Sequence, residues 1–139
     1  MKIKLFNELT SDSILVREEV FIREQGFIEE FDDTDKIACH LVAFDGDKPV
    51  GTCRFFFNKY RQSWIIGRVA VLEIARGLNV GSLIINEAEK HIREMNGKLI
   101  ELAAQKQAEH FYAKNGYVSF GELFYDEHCL HTWMRKELV

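Results

Sequence analysis

Seven stretches of the chain carry the hydrophobic pattern of β-strands. Residues 2–6 alternate polar and apolar side chains, which is typical of an edge strand. Two apolar runs, residues 40–44 and 50–57, are separated by the turn Asp45-Gly46-Asp47-Lys48, and an Asp-Gly pair favours a tight connection between antiparallel strands. This pattern predicts a β-hairpin. The remaining strands are predicted at residues 64–71, 99–103, 117–125 and 130–135.

Three stretches have the period of an α-helix, namely residues 11–25, 81–95 and 105–115. The pattern is clearest in residues 81–95, where Glu89 and Arg93 are spaced to pair across one turn of an exposed face. The opposite face of this helix is an apolar stripe that consists of Ile84, Ile85, Ala88, Ile92 and Met95.

The order of these elements predicts the fold class. Strands come first, a strand–helix–strand–helix segment follows, and two more strands end the pattern, which indicates a mixed α+β fold with a partly parallel sheet centre. The 139 residues contain one proline, Pro49, and no linker or repeat, so we expect residues 1–139 to form a single domain. No signal peptide is recognisable, and no apolar run approaches the ~20 residues of a membrane-spanning helix. A cytoplasmic protein without a membrane partner is therefore expected.

Charge narrows the expected partners. The chain has 18 Lys and Arg residues against 22 Asp and Glu residues, which gives a formal charge of −4. Proteins that bind nucleic acid normally present a basic face, so we expect no nucleic-acid partner. One acidic run stands out, at residues 29–35. This run is either a solvated loop or a rim that attracts a cationic amine.

The cysteines predict no redox or metal chemistry. Cys39, Cys53 and Cys129 are far apart, and no pair has the C-x-x-C spacing of zinc sites or thioredoxin-like motifs. We expect free thiols with a structural role, as is usual in a reducing cytosol. No set of His, Cys and Glu residues has the spacing of metal ligands, so no metal is expected.

A candidate anion site follows the predicted strand that ends at Val71. The segment Arg76-Gly77-Leu78-Asn79-Val80-Gly81-Ser82 leads into the helix predicted at 81–95. Backbone N–H groups in the first turn of a helix lack partners, and the helix dipole adds positive charge there, so a pyrophosphate is favoured at this point. The segment lacks the Gly-Lys-Ser/Thr of a phosphate-binding Walker loop and the three spaced glycines of a dinucleotide fingerprint.

The same segment resembles the Q/R-x-x-G-x-G/A loop of the GNAT acetyltransferase superfamily. Arg76 takes the Q/R place and Gly81 the last glycine place, while Asn79 stands where the family usually has glycine. Asparagine tolerates a left-handed backbone better than other non-glycine residues do, so the loop conformation can be kept. A second segment, from Gln105 through Phe111-Tyr112 to Gly116-Tyr117, resembles the family's N-x-x-A-x-x-F-Y-x-x-x-G-F/Y segment, with Gln105 in place of the commoner asparagine.

Further likeness narrows the match to the small ElaA-like bacterial branch of this superfamily. This likeness lies in residues 16–25, 40–43, 67–71 and 130–134, and together with the two motifs it extends the resemblance over essentially the whole chain. The resemblance implies a central, mostly antiparallel twisted sheet with a splayed parallel pair of strands and flanking helices. It also implies acetyl-CoA as cosubstrate. The implied contacts are the backbone of Val69, Ala70 and Val71 for the pantetheine arm, the amides from Arg76 through Gly77, Leu78, Asn79, Val80 and Gly81 to Ser82 for the pyrophosphate, and Gln105 and Phe111 as further cofactor contacts.

The resemblance further implies that an amine attacks the thioester directly within a ternary complex. Tyr112 matches the family's general acid, which protonates the leaving thiolate, although its position in an apolar stripe also fits a core tyrosine. His131 and His40 match positions typical of the branch, whereas a lone histidine on a strand is more often structural. The candidates for the general base are Glu24, His40, Glu73, Glu101 and His131, and water is an alternative to all of them.

The sequence leaves the acceptor and the assembly open. We expect a primary amine of a small molecule or a peptide as the acceptor, with small amines, amino sugars, polyamines, peptide N-termini and protein lysines all open, and a homodimer is compatible with the chain. The alternative to an enzyme is a non-catalytic, regulatory module that binds acyl-CoA. The residues that depart from the family pattern, Asn79 and Gln105, favour this alternative.

Overall fold

A computed structural model describes all residues 1–139 and contains one seven-stranded sheet in the order β1-β2-β3-β4-β5-β7-β6. All neighbouring strands are antiparallel except β4 and β5, which are parallel. This arrangement confirms the predicted mixed α+β class with a parallel pair at the sheet centre. The strands are β1 (Lys2–Phe6), β2 (Cys39–Asp45), β3 (Lys48–Asn58), β4 (Ser63–Val71), β5 (Leu99–Gln105), β6 (Val118–Asp126) and β7 (Cys129–Glu137).

The first predicted helix is regular only in its first half. Helix α1 (Ser11–Arg17) is capped by the Thr10 hydroxyl, and it continues as a π-helical segment, Glu18–Glu24. The prediction of a single α-helix over residues 11–25 is therefore wrong in its second half. Val20 and Phe21 of this segment are buried against the sheet, and a 3.6-residue period does not predict a π turn, because i→i+5 turns are rare.

The other two helices differ from the prediction at their ends. Helix α2 (Val80–Glu94) begins and ends one residue earlier than predicted, so Met95 lies beyond it and is exposed. The predicted helix 105–115 is shorter, because residue 105 still belongs to β5. A 3-10 turn (Lys106–Ala108) follows, and helix α3 (Glu109–Lys114) completes the segment.

Glu89 does not form the exposed pair with Arg93 that its spacing predicts. Its side chain is buried. The carboxylate accepts a hydrogen bond from the Tyr117 hydroxyl at 2.8 Å and forms an ion pair with Lys136 Nζ at 3.0 Å. These partners come from the end of the chain, so helix periodicity could not identify them. The carboxylate fastens α2 to the last strand of the sheet.

The sheet lies between two apolar clusters. On one face, α2 buries Ile84, Ile85, Ala88 and Ile92 in the larger cluster. On the other face, the first helix buries a smaller cluster that includes Ala70 of β4. The three cysteines are free thiols, as predicted. None of the helices has the length and hydrophobicity that a membrane span requires.

One feature of the sheet creates a cleft at its centre. Strands β4 and β5 pair only at Trp64–Ile100 and Ile65–Glu101. Beyond these pairs β5 remains bonded to β7, as far as the pair Gln105–His131, while β4 remains bonded to β3. The two central strands therefore separate, and the space between them opens toward their carboxyl ends.

Candidate active site

The space between the separated strands is a cleft of about 810 Å³. It is bordered by the π-helical segment, the end of β4, the start of α2, the end of β5 and α3. Leu78 is the one cofactor residue predicted from sequence that does not line it, because its side chain is largely exposed to solvent. The predicted residues that do line the cleft are Val69, Ala70, Val71, Arg76, Gly77, Asn79, Val80, Gly81, Ser82, Gln105, Phe111, Tyr112 and His131.

A β-bulge shapes the β4 side of the cleft. Thr52 of β3 pairs with Ala70 and Arg54 pairs with Gly67, so one residue of β3 lies opposite two residues of β4. Arg68 in this bulge has a left-handed backbone, with φ of 52°. A bulge bends its strand and disrupts the ladder locally. Together with the departure of β5, it leaves the edge of β4 without a neighbouring strand, which permits an extended ligand to add there.

The backbone amides beyond β4 are free at the place where the sequence predicts an anion site. Gly77, Leu78 and Asn79 donate no backbone hydrogen bond within the protein, and the first bond of α2 runs from the Leu83 amide to the Asn79 carbonyl. The amides of the first turn of α2 therefore also lack intrahelical partners. Free amides and the positive end of a helix dipole together attract an anion.

The structure explains the identity of two residues of this segment, one by its backbone conformation and one by its packing. Asn79 has φ of 64°, which confirms the expectation that asparagine takes a left-handed backbone there. The identity of Gly81 is explained by packing. A Cβ at Gly81 would lie 3.0 Å from Phe111 Cζ, so glycine here lets the Phe111 ring approach the helix.

Asn79 supplies a first testable prediction. Asn79→Ala should lower the free energy of unfolding by about 1 kcal/mol, because alanine tolerates the left-handed region less well than asparagine does. Asn79→Gly should leave stability unchanged or raise it slightly, since glycine adopts this conformation without strain. Urea denaturation of both variants measures the difference. Equal stability of the two variants would contradict the role assigned to the Asn79 backbone.

Arg76 already has partners within the cleft. Its Nε donates to the Val71 carbonyl oxygen at 3.0 Å, and its Nη2 forms an ion pair with Glu24 Oε1 at 2.7 Å. Gln105 forms a second contact across the cleft, since its Nε2 donates to Gln25 Oε1 at 2.7 Å. Glu24 and Gln25 thus link the first helical segment to both walls.

Tyr112 and His131 bring titratable groups into the cleft from its β5 side. The Tyr112 ring packs edge-on against Phe111 at 5.0 Å and against Tyr117 at 6.2 Å. Burial raises the pKa of the Tyr112 hydroxyl well above its ordinary value, so the phenol keeps its proton at neutral pH. His131 Nδ1 lies 2.9 Å from the Cys129 carbonyl oxygen, which can only accept a hydrogen bond. Nδ1 is therefore the protonated nitrogen, and a neutral ring carries its lone pair on Nε2.

Three of the five candidate bases lie away from the cleft. His40 is buried, and its Nε2 donates to the Asp35 carbonyl oxygen at 3.0 Å. Glu101 is bound by Arg61 at 2.9 Å and by the Ser63 hydroxyl at 2.7 Å. Glu73 is exposed in the 3-10 turn after β4 and does not line the cleft. Glu24 and His131 are the two that do line it.

The acidic run at residues 29–35 is neither a solvated loop nor a free acidic rim, and both interpretations from sequence are wrong in their main part. Glu30 forms one ion pair with Arg17 Nε at 2.8 Å and another with Arg68 Nε at 3.1 Å. Asp35 is bound by Arg17 at 2.7 Å and Arg54 at 2.9 Å. The arginines come from distant parts of the chain, so the local sequence shows only the acids.

Burial and the ion pairs shift the pKa values of the buried carboxyl groups in opposite directions. Burial would raise the pKa of Asp35, but hydrogen bonds from Arg17 and Arg54 outweigh it and lower the pKa to about 2. Burial dominates at Glu30, whose pKa is raised despite the nearby arginines. Asp32 is bound by Arg54 at 2.6 Å and completes the group. We call Arg17, Glu30, Asp32, Asp35, Arg54 and Arg68 the ion network.

Several residues at the cleft have roles that the sequence did not predict. Asn115 Nδ2 donates to the Ser82 hydroxyl at 3.2 Å and to the Phe111 carbonyl at 2.9 Å, which fastens α3 to the first turn of α2. The one sequence feature that could have indicated this role is the position of Asn115 within the family-like segment from Gln105 to Tyr117. Phe27 forms part of the opposite wall and packs on His128 at 5.0 Å between centroids. No local pattern distinguishes Phe27 from an ordinary core residue.

Comparison with known proteins identifies close relatives of this fold. A family model described as an acetyltransferase (GNAT) domain matches residues 7–138. The uncharacterized N-acetyltransferase YjcF of Bacillus subtilis (strain 168) is 35% identical over 133 residues, which cover 94% of each chain. The crystal structure of Escherichia coli ElaA superposes with a TM-score of 0.85 at 24% identity and covers 98% of this chain and 99% of that one. An aminoglycoside 6'-N-acetyltransferase solved with coenzyme A superposes with a TM-score of 0.77 at 17% identity and covers 100% and 98% of the two chains.

Proposed function

Because the chain belongs to the GNAT acetyltransferase family, we propose that it transfers an acetyl group from acetyl-CoA to a primary amine of a small molecule or peptide, with residues 1–139 acting as one domain. One observation carries this proposal. The edge of β4, which β5 has left unpaired, leads directly to the free amides before α2. A ligand with an extended arm and a pyrophosphate at its end can bond to the unpaired strand with the arm and to the free amides with the pyrophosphate.

The proposed cofactor contacts lie along the β4 edge and the amides that follow it. The pantetheine arm would bond to the backbone of Val69, Ala70 and Val71, and the pyrophosphate would accept hydrogen bonds from the amides between Gly77 and Ser82. The Phe111 ring lies against Gly81 and supplies an apolar contact for the arm. Gln105 and Arg76 border the same space. A cleft of about 810 Å³ is of the size expected for a cofactor site.

The proposed chemistry uses the two titratable side chains on the β5 side. The amine nitrogen attacks the thioester carbon, the carbon–sulfur bond breaks, and the thiolate needs a proton. Tyr112 keeps its proton at neutral pH because burial raises its pKa, and it would donate that proton to the sulfur. His131, whose Nδ1 donates to the Cys129 carbonyl oxygen, has its lone pair on Nε2 when the ring is neutral, and Nε2 would take the proton that the ammonium substrate must lose before its nitrogen attacks.

The role of His131 is open to a direct test. We expect His131→Asn to lower kcat by about tenfold, which is less than the roughly 10²–10⁴-fold usual for a general base, because water in an open cleft can replace it. Coenzyme A affinity should not change. Steady-state kinetics with saturating acetyl-CoA measure the effect, and His40→Asn is the matched control because His40 lies outside the cleft. A larger loss of kcat in the folded control than in His131→Asn would contradict the assignment.

Binding of the cofactor can be tested before any acceptor is known. Isothermal titration of the chain with coenzyme A should give one site per chain with a sub-millimolar dissociation constant. Absence of binding at that concentration would overturn the proposal. Binding without transfer to any amine would instead favour a non-catalytic module that binds acyl-CoA. Of the two departures from the family pattern, Gln105 still favours that alternative, because its amide is already engaged by Gln25, whereas Asn79 adopts the left-handed backbone that the loop needs.

A further inference from the structure

The Arg76 side chain occupies part of the β4 edge. It folds back toward the strand that precedes it, so that its Nε donates to the Val71 carbonyl oxygen at 3.0 Å. Glu24 holds the other end of the guanidinium, with 2.7 Å between its Oε1 and Nη2 of Arg76. The two contacts place the guanidinium between the π-helical segment and the end of β4.

The Val71 carbonyl oxygen points into the cleft. The Leu72 amide donates to the Val50 carbonyl of β3 at 2.8 Å, which marks Leu72 and Val50 as a hydrogen-bonded position of the antiparallel ladder. In such a ladder the adjacent pair, here Val71 and Gly51, is not hydrogen-bonded and turns its polar groups away from the partner strand. For Val71 that direction is the one that β5 has left. Its carbonyl is therefore an acceptor that a strand-like ligand would use.

We propose that Glu24 holds Arg76 on the Val71 carbonyl oxygen, where the guanidinium competes with the pantetheine arm of acyl-CoA for that acceptor. Cofactor binding then requires the guanidinium to leave Val71 and Glu24 and to turn toward the pyrophosphate. This inference rests on the proposed function, since it needs a pantetheine arm along β4. Arg76 adjoins the free amides at Gly77, Leu78 and Asn79, so the pyrophosphate site lies beside its own backbone. Glu24 is then a positioning residue that acts through Arg76 and sets cofactor affinity.

The charges of the cleft support such an exchange. Besides Arg76, the cations that line it are Lys114 and Arg68, and Arg68 is already bound by Glu30 and Asp32. The side chains of Arg76 and Glu24 are 43% and 36% exposed, and ion pairs with that degree of exposure contribute little. A doubly charged pyrophosphate that also binds the amides is a stronger partner for the guanidinium than Glu24 is.

The experiment is a cycle of coenzyme A titrations on the wild-type chain, Glu24→Gln, Arg76→Ala and the double variant. We expect Glu24→Gln to tighten binding by about two- to fivefold, which is the range of an exposed ion pair. Arg76→Ala should weaken coenzyme A binding, and adding Glu24→Gln to it should change nothing more. Glu19→Gln is the matched control, because Glu19 loses the same charge on the same segment but pairs with Arg23 and does not line the cleft.

A second ligand separates this mechanism from a general effect of charge. Acetyl-pantetheine has the arm but no pyrophosphate, so Arg76→Ala should bind it more tightly than the wild-type chain does, because the Val71 carbonyl is freed. The same variant should bind coenzyme A less tightly. Unchanged coenzyme A affinity in Glu24→Gln, or the same gain in the Arg76→Ala background, would overturn the inference. Failure of the wild-type chain to bind coenzyme A would instead overturn the proposed function itself.

Discussion

Tyr112→Phe is expected to lower kcat by about two orders of magnitude while coenzyme A affinity stays within about twofold of the wild type. The phenylalanine ring keeps the edge-on packing against Phe111 and Tyr117, so the fold and the cleft are preserved. The lost group is the hydroxyl, whose proton the leaving thiolate needs. Single-turnover measurements of thiol release at saturating acetyl-CoA test this expectation.

Tyr117 provides the matched control for this variant. It is a buried tyrosine in contact with Tyr112, but its hydroxyl donates to Glu89 and it does not line the cleft. Tyr117→Phe should lower stability by about 1–2 kcal/mol, because it removes a hydrogen bond to a buried charge, and should leave kcat nearly unchanged. Equal losses of kcat in the two variants, or collapse of coenzyme A affinity in Tyr112→Phe, would show that Tyr112 is a structural residue.

Removal of the Asp35 carboxylate is expected to lower the free energy of unfolding by about 3–5 kcal/mol, the range found when one partner of a buried ion pair is removed. Asp35→Ala leaves the buried guanidinium groups of Arg17 and Arg54 without their shared carboxylate. Asp33→Ala is the control, because Asp33 is 99% exposed and pairs with Lys36 at 3.4 Å. Its effect should stay within about 0.5 kcal/mol. A loss below about 1 kcal/mol for Asp35→Ala would contradict the structural role of the ion network.

The same residue predicts a pH dependence of stability. The pKa of Asp35 is lowered in the folded chain from the ordinary 3.8 to about 2. Its contribution to stability is therefore complete above the unfolded value and is lost as the pH falls from 3.8 toward 2. Urea denaturation across this interval should show a steeper loss of stability for the wild type than for Asp35→Asn. Parallel curves for the two proteins would contradict the assignment.

Local signals in the sequence predicted the elements that carry their own pattern. The apolar stripe of α2, the Asp-Gly hairpin and the loop after β4 each depend on residues close together in the chain. The left-handed backbone of Asn79 belongs to the same class, because a residue type and its place in a turn were sufficient. These features place the start of α2 beside the end of β4 and therefore predict most of the β4 side of the cleft.

The features that were missed depend on contacts between distant segments. Arg17, Arg54 and Arg68 bind acids of residues 29–35, and nothing near that run indicates its partners. Glu89 on α2 finds its partners more than 25 residues later, at Tyr117 and Lys136. The π-helical segment buries Val20 and Phe21 beside Ala70 of β4, and helix periodicity does not distinguish it from an α-helix. For the acidic run and for Glu89, tertiary contacts outweigh the local preference.

The most direct test of the account is transfer of the acetyl group itself. The purified chain, acetyl-CoA and a panel of primary amines are incubated together, free thiol is measured over time, and the amine product is identified by mass spectrometry. We predict thiol release that depends on the added amine, appears together with the acetylated amine and is strongly reduced in Tyr112→Phe. Coenzyme A binding without amine-dependent thiol release across small amines, polyamines and peptides would contradict the account.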